Sequence, residues 1–117
     1  MVRYLLVLVA FPILTATSAC GQECSVSDIS VESVSTSNGL VATKVRGRLV
    51  NRCSSPTGPQ VKFVFWSKSG TLLRVFDAWP ASVNNIQPGS DYPFEFSLEK
   101  VDNFDRLEVR VIQTRLW

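Results

Sequence analysis

The sequence predicts an all-β protein, an antiparallel β-sandwich of about seven strands. Two observations indicate this fold: short segments in which apolar and polar residues alternate, and turn residues that separate these segments about every eight to twelve positions. No segment of the mature chain shows a convincing helical period. A closed barrel is the main structural alternative, because alternation alone does not distinguish a barrel from a sandwich.

The segment 61–70, VKFVFWSKSG, contains the clearest strand, at 61–67, followed by a turn, and supplies the middle of the predicted core. Phe63 and Phe65 lie two positions apart, so in an extended strand both side chains point to the same face. Val64 and Trp66 then point to the opposite face. If the two phenylalanines fill the core, Trp66 lies on the outside of the sheet.

The other strands are assigned from the same alternation. They are predicted at 26–34, 40–51, 72–79, 81–86, 92–98 and 106–117. The strand at 40–51 has an apolar face and a basic face. The apolar residues are Val41, Val45 and Leu49, and the basic residues are Lys44, Arg46 and Arg48. The segment 52–60 contains two prolines, so it is predicted to be a loop that cannot join a central strand.

The first nineteen residues have the order of a secretory signal peptide. Arg3 supplies the positive charge, 4–14 is apolar, and 15–19 is small and polar. A membrane-spanning helix needs roughly twenty apolar residues, so this run is too short to be one. The predicted organisation is a signal peptide at 1–19, a tether at 20–25 and a β-sandwich domain at 26–117.

Two outcomes of cleavage stay open, because the small residues 17–19 precede Cys20. Ordinary signal peptidase accepts such residues and would leave a soluble periplasmic or secreted protein. The same order resembles a bacterial lipobox, in which the cysteine receives a lipid, although Thr17 stands where leucine is usual. Lipidation of Cys20, followed by Gly21, predicts an anchor in the outer membrane and no other attachment to a membrane.

The cysteines support export. Three are present, and if Cys20 is lipidated, Cys24 and Cys53 remain as a pair in an oxidising compartment. A disulfide between them would close a loop of about thirty residues and stabilise the fold by roughly 3 to 4 kcal/mol in the chain-entropy interpretation. A domain of this size gains much from such a bond, because its core is small.

The composition argues against catalysis and nucleic-acid binding. The chain has no histidine, which removes the usual general base and the commonest metal ligand. The formal charge is +2, and it becomes +1 when Arg3 leaves with the signal peptide, so no nucleic-acid partner is predicted. Asp102, Asn103 and Asp105 favour turn chemistry over a calcium site. We therefore predict no catalytic, cofactor-binding or metal site.

Two groups of residues are candidates for an interaction surface. The basic row Lys44, Arg46 and Arg48 could face an anionic partner, although such a row is also ordinary on a solvated sheet face. Trp66 and Trp79 could be exposed, and exposed tryptophan is typical of protein interfaces. The alternative is that a neighbouring side chain covers Trp66 and that Trp79 packs over one end of the sandwich. The predicted partner is another envelope protein or an anionic component of the cell surface.

The sequence resembles the FxLYD family of small bacterial envelope domains. The name motif is matched by 63–67, FVFWS, and the flanking segments 47–51, GRLVN, and 86–89, IQPG, resemble the family's strand end and Pro-Gly turn. At three positions of the motif Phe65 stands for Leu, Trp66 for Tyr and Ser67 for Asp. The resemblance covers 39–98 and implies an immunoglobulin-like sandwich in the envelope, with no known reaction.

These observations together predict a non-enzymatic, exported envelope protein that acts as a binding or accessory module. The alternative is a small secreted or periplasmic enzyme inhibitor. Such an inhibitor would insert the loop at 52–60, which the prolines and Cys53 would make rigid, into the cleft of an enzyme.

Overall fold

Six β-strands and one short 3-10 turn make up residues 24–117, the part of the chain that this computed structural model describes. The 3-10 turn is Val26–Asp28, and the strands are β1 (Ile29–Asn38), β2 (Ala42–Asn51), β3 (Gly58–Ser67), β4 (Leu72–Ala78), β5 (Asp91–Glu99) and β6 (Phe104–Arg115). The signal peptide predicted at 1–19, Cys20 and the start of the tether lie outside the described residues.

The strands form two antiparallel sheets of three strands each. One sheet has the order β1-β2-β5 and the other has the order β4-β3-β6. The two sheets pack face to face, so the predicted all-β sandwich is confirmed. For brevity we call β1-β2-β5 the first sheet and β4-β3-β6 the second sheet.

Phenylalanine rings fill the space between the sheets. Phe63 is fully buried at the middle of β3 and stacks on Phe76 of β4 with ring centroids 4.7 Å apart. Across the interface it meets Phe94 and Phe96 of β5 edge-on, at 6.0 and 5.6 Å. Phe65 is also fully buried. Both phenylalanines therefore face the core as their spacing predicted.

The strand predicted at 81–86 is wrong. This segment is a series of turns in which only Ile86 forms a bridge, to Thr57. Ser82 has a φ of 56°, which a strand residue does not adopt. Ala81 and Ile86 are nevertheless buried in the core. Their apolar side chains produced the strand pattern, because a residue buried from a loop and a residue buried from a strand are both apolar in the sequence.

The loop predicted at 52–60 is shorter than expected, because β3 begins at Gly58. Pro59 lies within this central strand, opposite Thr114 of β6. Pairing between β3 and β4 starts only at Val61. The first residues of β3 are therefore paired on one side alone, and a proline is tolerated there as it is on an edge strand.

The hairpin between β1 and β2 also differs from its prediction. β1 continues to Asn38, and the turn comprises 39–41. Val41 was expected to face the core, but it lies beyond the end of the sandwich and is 85% exposed. Leu40 beside it is 94% exposed. The two residues form the outermost point of the hairpin, which we call the hairpin tip.

The end of the sandwich opposite the hairpin tip, which we call the base, is held by a disulfide and a buried amide. Cys24 and Cys53 form the predicted disulfide. The Asn51 side chain, 0% exposed, donates to the backbone oxygens of Ser55 and Ile86 at 2.9 and 2.8 Å and accepts from the backbone N–H of Cys53 at 2.9 Å. One side chain therefore fixes both loops of the base.

We predict that Asn51→Asp lowers the free energy of unfolding by about 3 kcal/mol. The carboxylate has no N–H to donate, and it would face the oxygens of Ser55 and Ile86, which are left without a donor. Urea denaturation followed by circular dichroism measures the loss. The control is Asn84→Asp at an exposed position of the same end, expected to change stability by less than about 0.5 kcal/mol. Equal losses in the two variants would contradict the role of Asn51.

A second prediction concerns Gly47, which faces the core. A Cβ atom at this position would lie 2.5 Å from Cζ of Phe94. We therefore expect Gly47→Ala to destabilise the protein by about 1 to 3 kcal/mol, because the ring must move within a packed core. At Gly39 the nearest atom to an added Cβ is 3.4 Å away. Gly39→Ala should leave the denaturation midpoint unchanged or slightly raised, and a matching loss there would count against the packing argument.

Candidate binding surfaces

The basic row lies on the outer face of the first sheet, as the alternation in β2 predicts. Lys44, Arg46 and Arg48 are all exposed there. Neighbouring strands contribute carboxylates to the same face: Glu32 comes from β1, and Asp91 and Glu95 come from β5.

Each basic residue of the row has a carboxylate partner. Lys44 Nζ and Arg46 Nε lie 3.9 and 3.4 Å from the oxygens of Glu95. Arg48 donates to Glu32 at 2.7 Å and also pairs with Asp91 at 3.4 Å. The surface is therefore a ladder of ion pairs whose charges largely cancel, which weakens the field that a distant anionic partner would feel.

The shortest pair in the ladder, Arg48 with Glu32, shifts the pKa of both partners. The hydrogen bond from Arg48 lowers the pKa of Glu32 below its usual value; partial burial opposes this change, and Arg52 adds to it at 3.2 Å. The hydrogen bond to Glu32 in turn raises the pKa of Arg48. The pair is thus charged throughout the physiological range of pH.

Trp66 lies on the outer face of the second sheet, as expected. Its indole N–H donates to Glu108 of β6 at 3.2 Å, and the Arg106 guanidinium lies 5.4 Å from the ring centroid. Val64, on the same face, is 6% exposed because its neighbours cover it. Toward β4 the face is apolar, since Leu73 and Val75 are 39% and 43% exposed. Trp66 is therefore half-buried between a charged strand and an apolar edge.

Trp79 lies at the base, where it packs against another tryptophan. Its ring meets that of Trp117 edge-on at 5.4 Å. The Arg115 guanidinium lies 4.3 Å from the Trp117 ring centroid, and Asn85 exchanges two hydrogen bonds with the Trp117 backbone. Trp79 is half-buried and forms part of a packed corner rather than a free aromatic surface.

The structure thus separates the residues that the sequence proposed as one surface. The basic row and Trp66 lie on opposite outer faces of the sandwich, and Trp79 lies at the base. The loop that was a candidate for enzyme inhibition is also altered, because Gly58 and Pro59 are buried in β3. Its remaining residues are held by the disulfide and by Asn51.

The hairpin tip is a candidate surface that the sequence analysis missed. Leu40 and Val41 carry two of the most exposed apolar side chains in the described residues, and with Lys44 they line a shallow hollow beside Asn38 and Gly39. The missed signal was the position of Leu-Val directly after Asn-Gly. That pair is a strong hairpin signal, so the next residues belong to the turn rather than to a buried strand.

The described part of the chain offers little for metal or membrane chemistry. Among residues 24–117, no group of three or more aspartate, glutamate or cysteine side chains could hold a metal ion. In the same range, no helix has the length and apolar character needed to cross a membrane.

The fold and these surfaces define a disulfide-containing all-β sandwich domain. No protein-family model and no curated protein matches the sequence. Among solved structures, the chain is similar to the crystal structure of a DUF1425 family member from Shewanella sp. pv-4, with a TM-score of 0.53 and 13% identity over 73% of this chain and 77% of that chain. At this identity the similarity shows a shared fold alone.

The ion-pair ladder leads to a prediction on pH. A glutamate with a lowered pKa in the folded state stabilises the protein above its unfolded-chain pKa of 4.5, and this contribution is lost as the pH falls through the lower folded-state value. Glu32→Gln should therefore be slightly less stable than the original protein at pH 7, and the difference should shrink below about pH 4.5 and then disappear. Urea denaturation at a series of pH values measures it.

The control for this prediction uses the partners of Glu32. With Arg48 and Arg52 both replaced by Met, the substitution Glu32→Gln should produce no difference that depends on pH, since the hydrogen bonds that lower the pKa are gone. A difference that stays constant from pH 7 to pH 3 in the original background would contradict the assignment. The effect is expected to be small, because these side chains are exposed and screened by solvent.

Proposed function

We propose that this chain is an exported, non-enzymatic binding module of the bacterial envelope that docks onto a partner protein through the hairpin tip. The observation that carries the proposal is the exposure of Leu40 and Val41, at 94% and 85%. Two adjacent aliphatic side chains exposed to this extent contribute almost nothing to the core. An apolar pocket on another protein would remove them from water, which is favourable in proportion to the area covered.

The position of the tip within the sandwich supports this role. β2 runs from Ala42 at the tip to Asn51 at the base, a length of ten residues, or about 30 Å at roughly 3.3 Å per residue. Cys24 and its disulfide lie at the base. Any tether that precedes Cys24 therefore leaves the sandwich at the end opposite the tip.

This arrangement suits either outcome of cleavage. If Cys20 carries a lipid, only three residues separate it from Cys24, so the base would lie close to the membrane and the hairpin tip would point away from it. If Cys20 is not lipidated, the tip is exposed in the same way on a soluble protein. In both cases the apolar tip is presented to another protein.

The charges around the tip are mixed in sign. Lys44 lies beside the tip but pairs with Glu95 at 3.9 Å, Lys68 is exposed at the same end of the sandwich, and the exposed Glu99 lies opposite Ala42 in the ladder. The apolar pair Leu40 and Val41 is therefore the feature that a docking site would recognise, through an apolar pocket. Of the basic row predicted from the sequence, Lys44 is the member closest to this surface.

We also infer a relationship to the FxLYD family from the resemblance in sequence. What supports it is that the residues of the resemblance have defined structural tasks: Gly47 makes room for Phe94, Asn51 fixes the loops of the base, and Phe63 is at the centre of the core. A family of envelope domains with no known reaction is compatible with a non-enzymatic module.

A photo-crosslinking amino acid placed at Leu40 tests the proposal in growing cells. We expect one crosslinked protein species from position 40, because the tip lies inside the partner's pocket. The same crosslinker at Val83, 64% exposed in a loop of the base, is the matched control and should give no such species. Adding Val41→Asp should abolish the crosslink from position 40, since it places a carboxylate in an apolar pocket.

A stability measurement on the variant makes the result decisive. Val41→Asp should change the free energy of unfolding by less than about 0.5 kcal/mol, because the side chain is exposed. Loss of the crosslink would then reflect binding and not folding. Crosslinks to lipid alone, or the same protein species from positions 40 and 83, would contradict docking through the hairpin tip.

A further inference from the structure

The outer edge of β4 differs from the other three sheet edges. β1 carries an irregularity between Glu32 and Ser35, where Ser33 adopts a φ of 55°. A bulge of this kind twists an edge away from a further strand. β5 contains Pro93, which lacks the N–H that a further strand would need. These features are recognised ways in which proteins prevent association between sheets.

The edge of β6 is covered from within the same chain. β1 and the 3-10 turn lie against β6, and the Thr114 hydroxyl donates to the backbone oxygen of Cys24. β4 has neither a proline nor such a cover. Its pairing with β3 is irregular only at its first residues, next to Trp66, and is regular from Arg74 to Ala78. Within residues 24–117, no strand pairs with its outer edge.

The side chains of β4 are also unusual for an exposed edge. Leu72, Leu73 and Val75 are 51%, 39% and 43% exposed. In the ladder Leu72 lies opposite Trp66 and Val75 lies opposite the buried Val64, so the exposed row adjoins the half-buried ring of Trp66 on the outer face. An exposed apolar row on an edge strand is a site of association unless another strand covers it.

The charges of this region are already paired. Arg74 lies 3.6 Å from Glu99, and Asp77 lies 3.3 Å from Lys62. An identical strand placed alongside β4 would therefore bring no unpaired charge. An antiparallel pair of identical strands also satisfies a two-fold axis, because each strand offers the same donors and acceptors to the other.

We propose that the outer edge of β4 binds the β4 edge of a second copy of this chain in antiparallel orientation, so that the two second sheets join into one sheet of six strands. The contact involves one strand of seven residues from each copy and the side chains beside it. It is smaller than a standard interface of about 800 Å² per partner. The association is therefore expected to be weak.

The orientation has a consequence for anchoring. Antiparallel pairing of β4 places the base of one copy beside the tip end of the other. Two copies held in one membrane by their bases cannot adopt this arrangement, so the dimer belongs to chains that are not both anchored in the same membrane. The hairpin tip is part of the first sheet and stays free, which makes this inference independent of docking through the tip.

Sedimentation equilibrium tests the proposal on the mature chain. Cys20 is replaced by Ser so that an intermolecular disulfide cannot imitate the dimer. We expect the average mass to rise from one chain toward two between low micromolar and near-millimolar concentration. Val75→Asp should hold the protein at one chain, because it places two carboxylates close to the two-fold axis in an apolar row.

The matched control is Val34→Asp, on the edge strand β1 with 39% exposure against 43% for Val75. This variant should dimerise as the original protein does. Both variants should keep the original circular dichroism spectrum, and the more conservative Val75→Thr should weaken the dimer by several-fold if Asp unfolds the protein. A protein that remains one chain at every concentration overturns the proposal. So does a dimer that Val75→Asp and Val75→Thr leave intact.

Discussion

The contact between Phe63 and the rings around it is the interaction on which the fold depends. The apolar face of each three-stranded sheet must be buried against another layer, so each sheet needs the other. Phe63 touches Phe76 within its own sheet and Phe94 and Phe96 across the interface. Gly47 makes this possible, since a side chain there would occupy the position of the Phe94 ring. The core is fixed in this way, so residues on the outer faces, the edges and the two ends of the sandwich are available for binding and association.

The base of the sandwich is stabilised differently, because its loops have almost no ladder hydrogen bonds. Asn51 supplies those bonds from a single side chain, and its own backbone N–H and C=O pair with Ser90 and Gly89. The disulfide of Cys53 joins the same loop to the start of the chain. A polar group buried this deeply is favourable only when all its partners are present. The base therefore forms as a unit with β2, while the hairpin tip at the other end is free of such constraints.

The sequence was sufficient for features that depend on one strand alone. The inward direction of Phe63 and Phe65 and the outward direction of Trp66 follow from a period of two. It was insufficient where a neighbouring strand decides the outcome. Pro59 is accepted in β3 because β4 does not reach it, and the basic row is neutralised because the register places Glu32, Asp91 and Glu95 beside it. The alternation in β2 fixes which of its residues share a face, but it does not say which residues of β1 and β5 lie beside them, so the paired character of that face could not be read from β2.

The two surfaces with exposed apolar residues differ in what they contribute to the fold. Val75 lies opposite Val64 in the ladder and belongs to a packed sheet, so its apolar character has a structural reason as well as a role in association. Leu40 and Val41 have no such reason. A turn at this position is served well by Asn, Asp or Gly, and the described core would be the same with polar residues there. The fold does not need these two apolar side chains, which lie at the end of the molecule farthest from the disulfide. Substitutions at Leu40 and Val41 can therefore change binding to a partner without changing the stability of the fold.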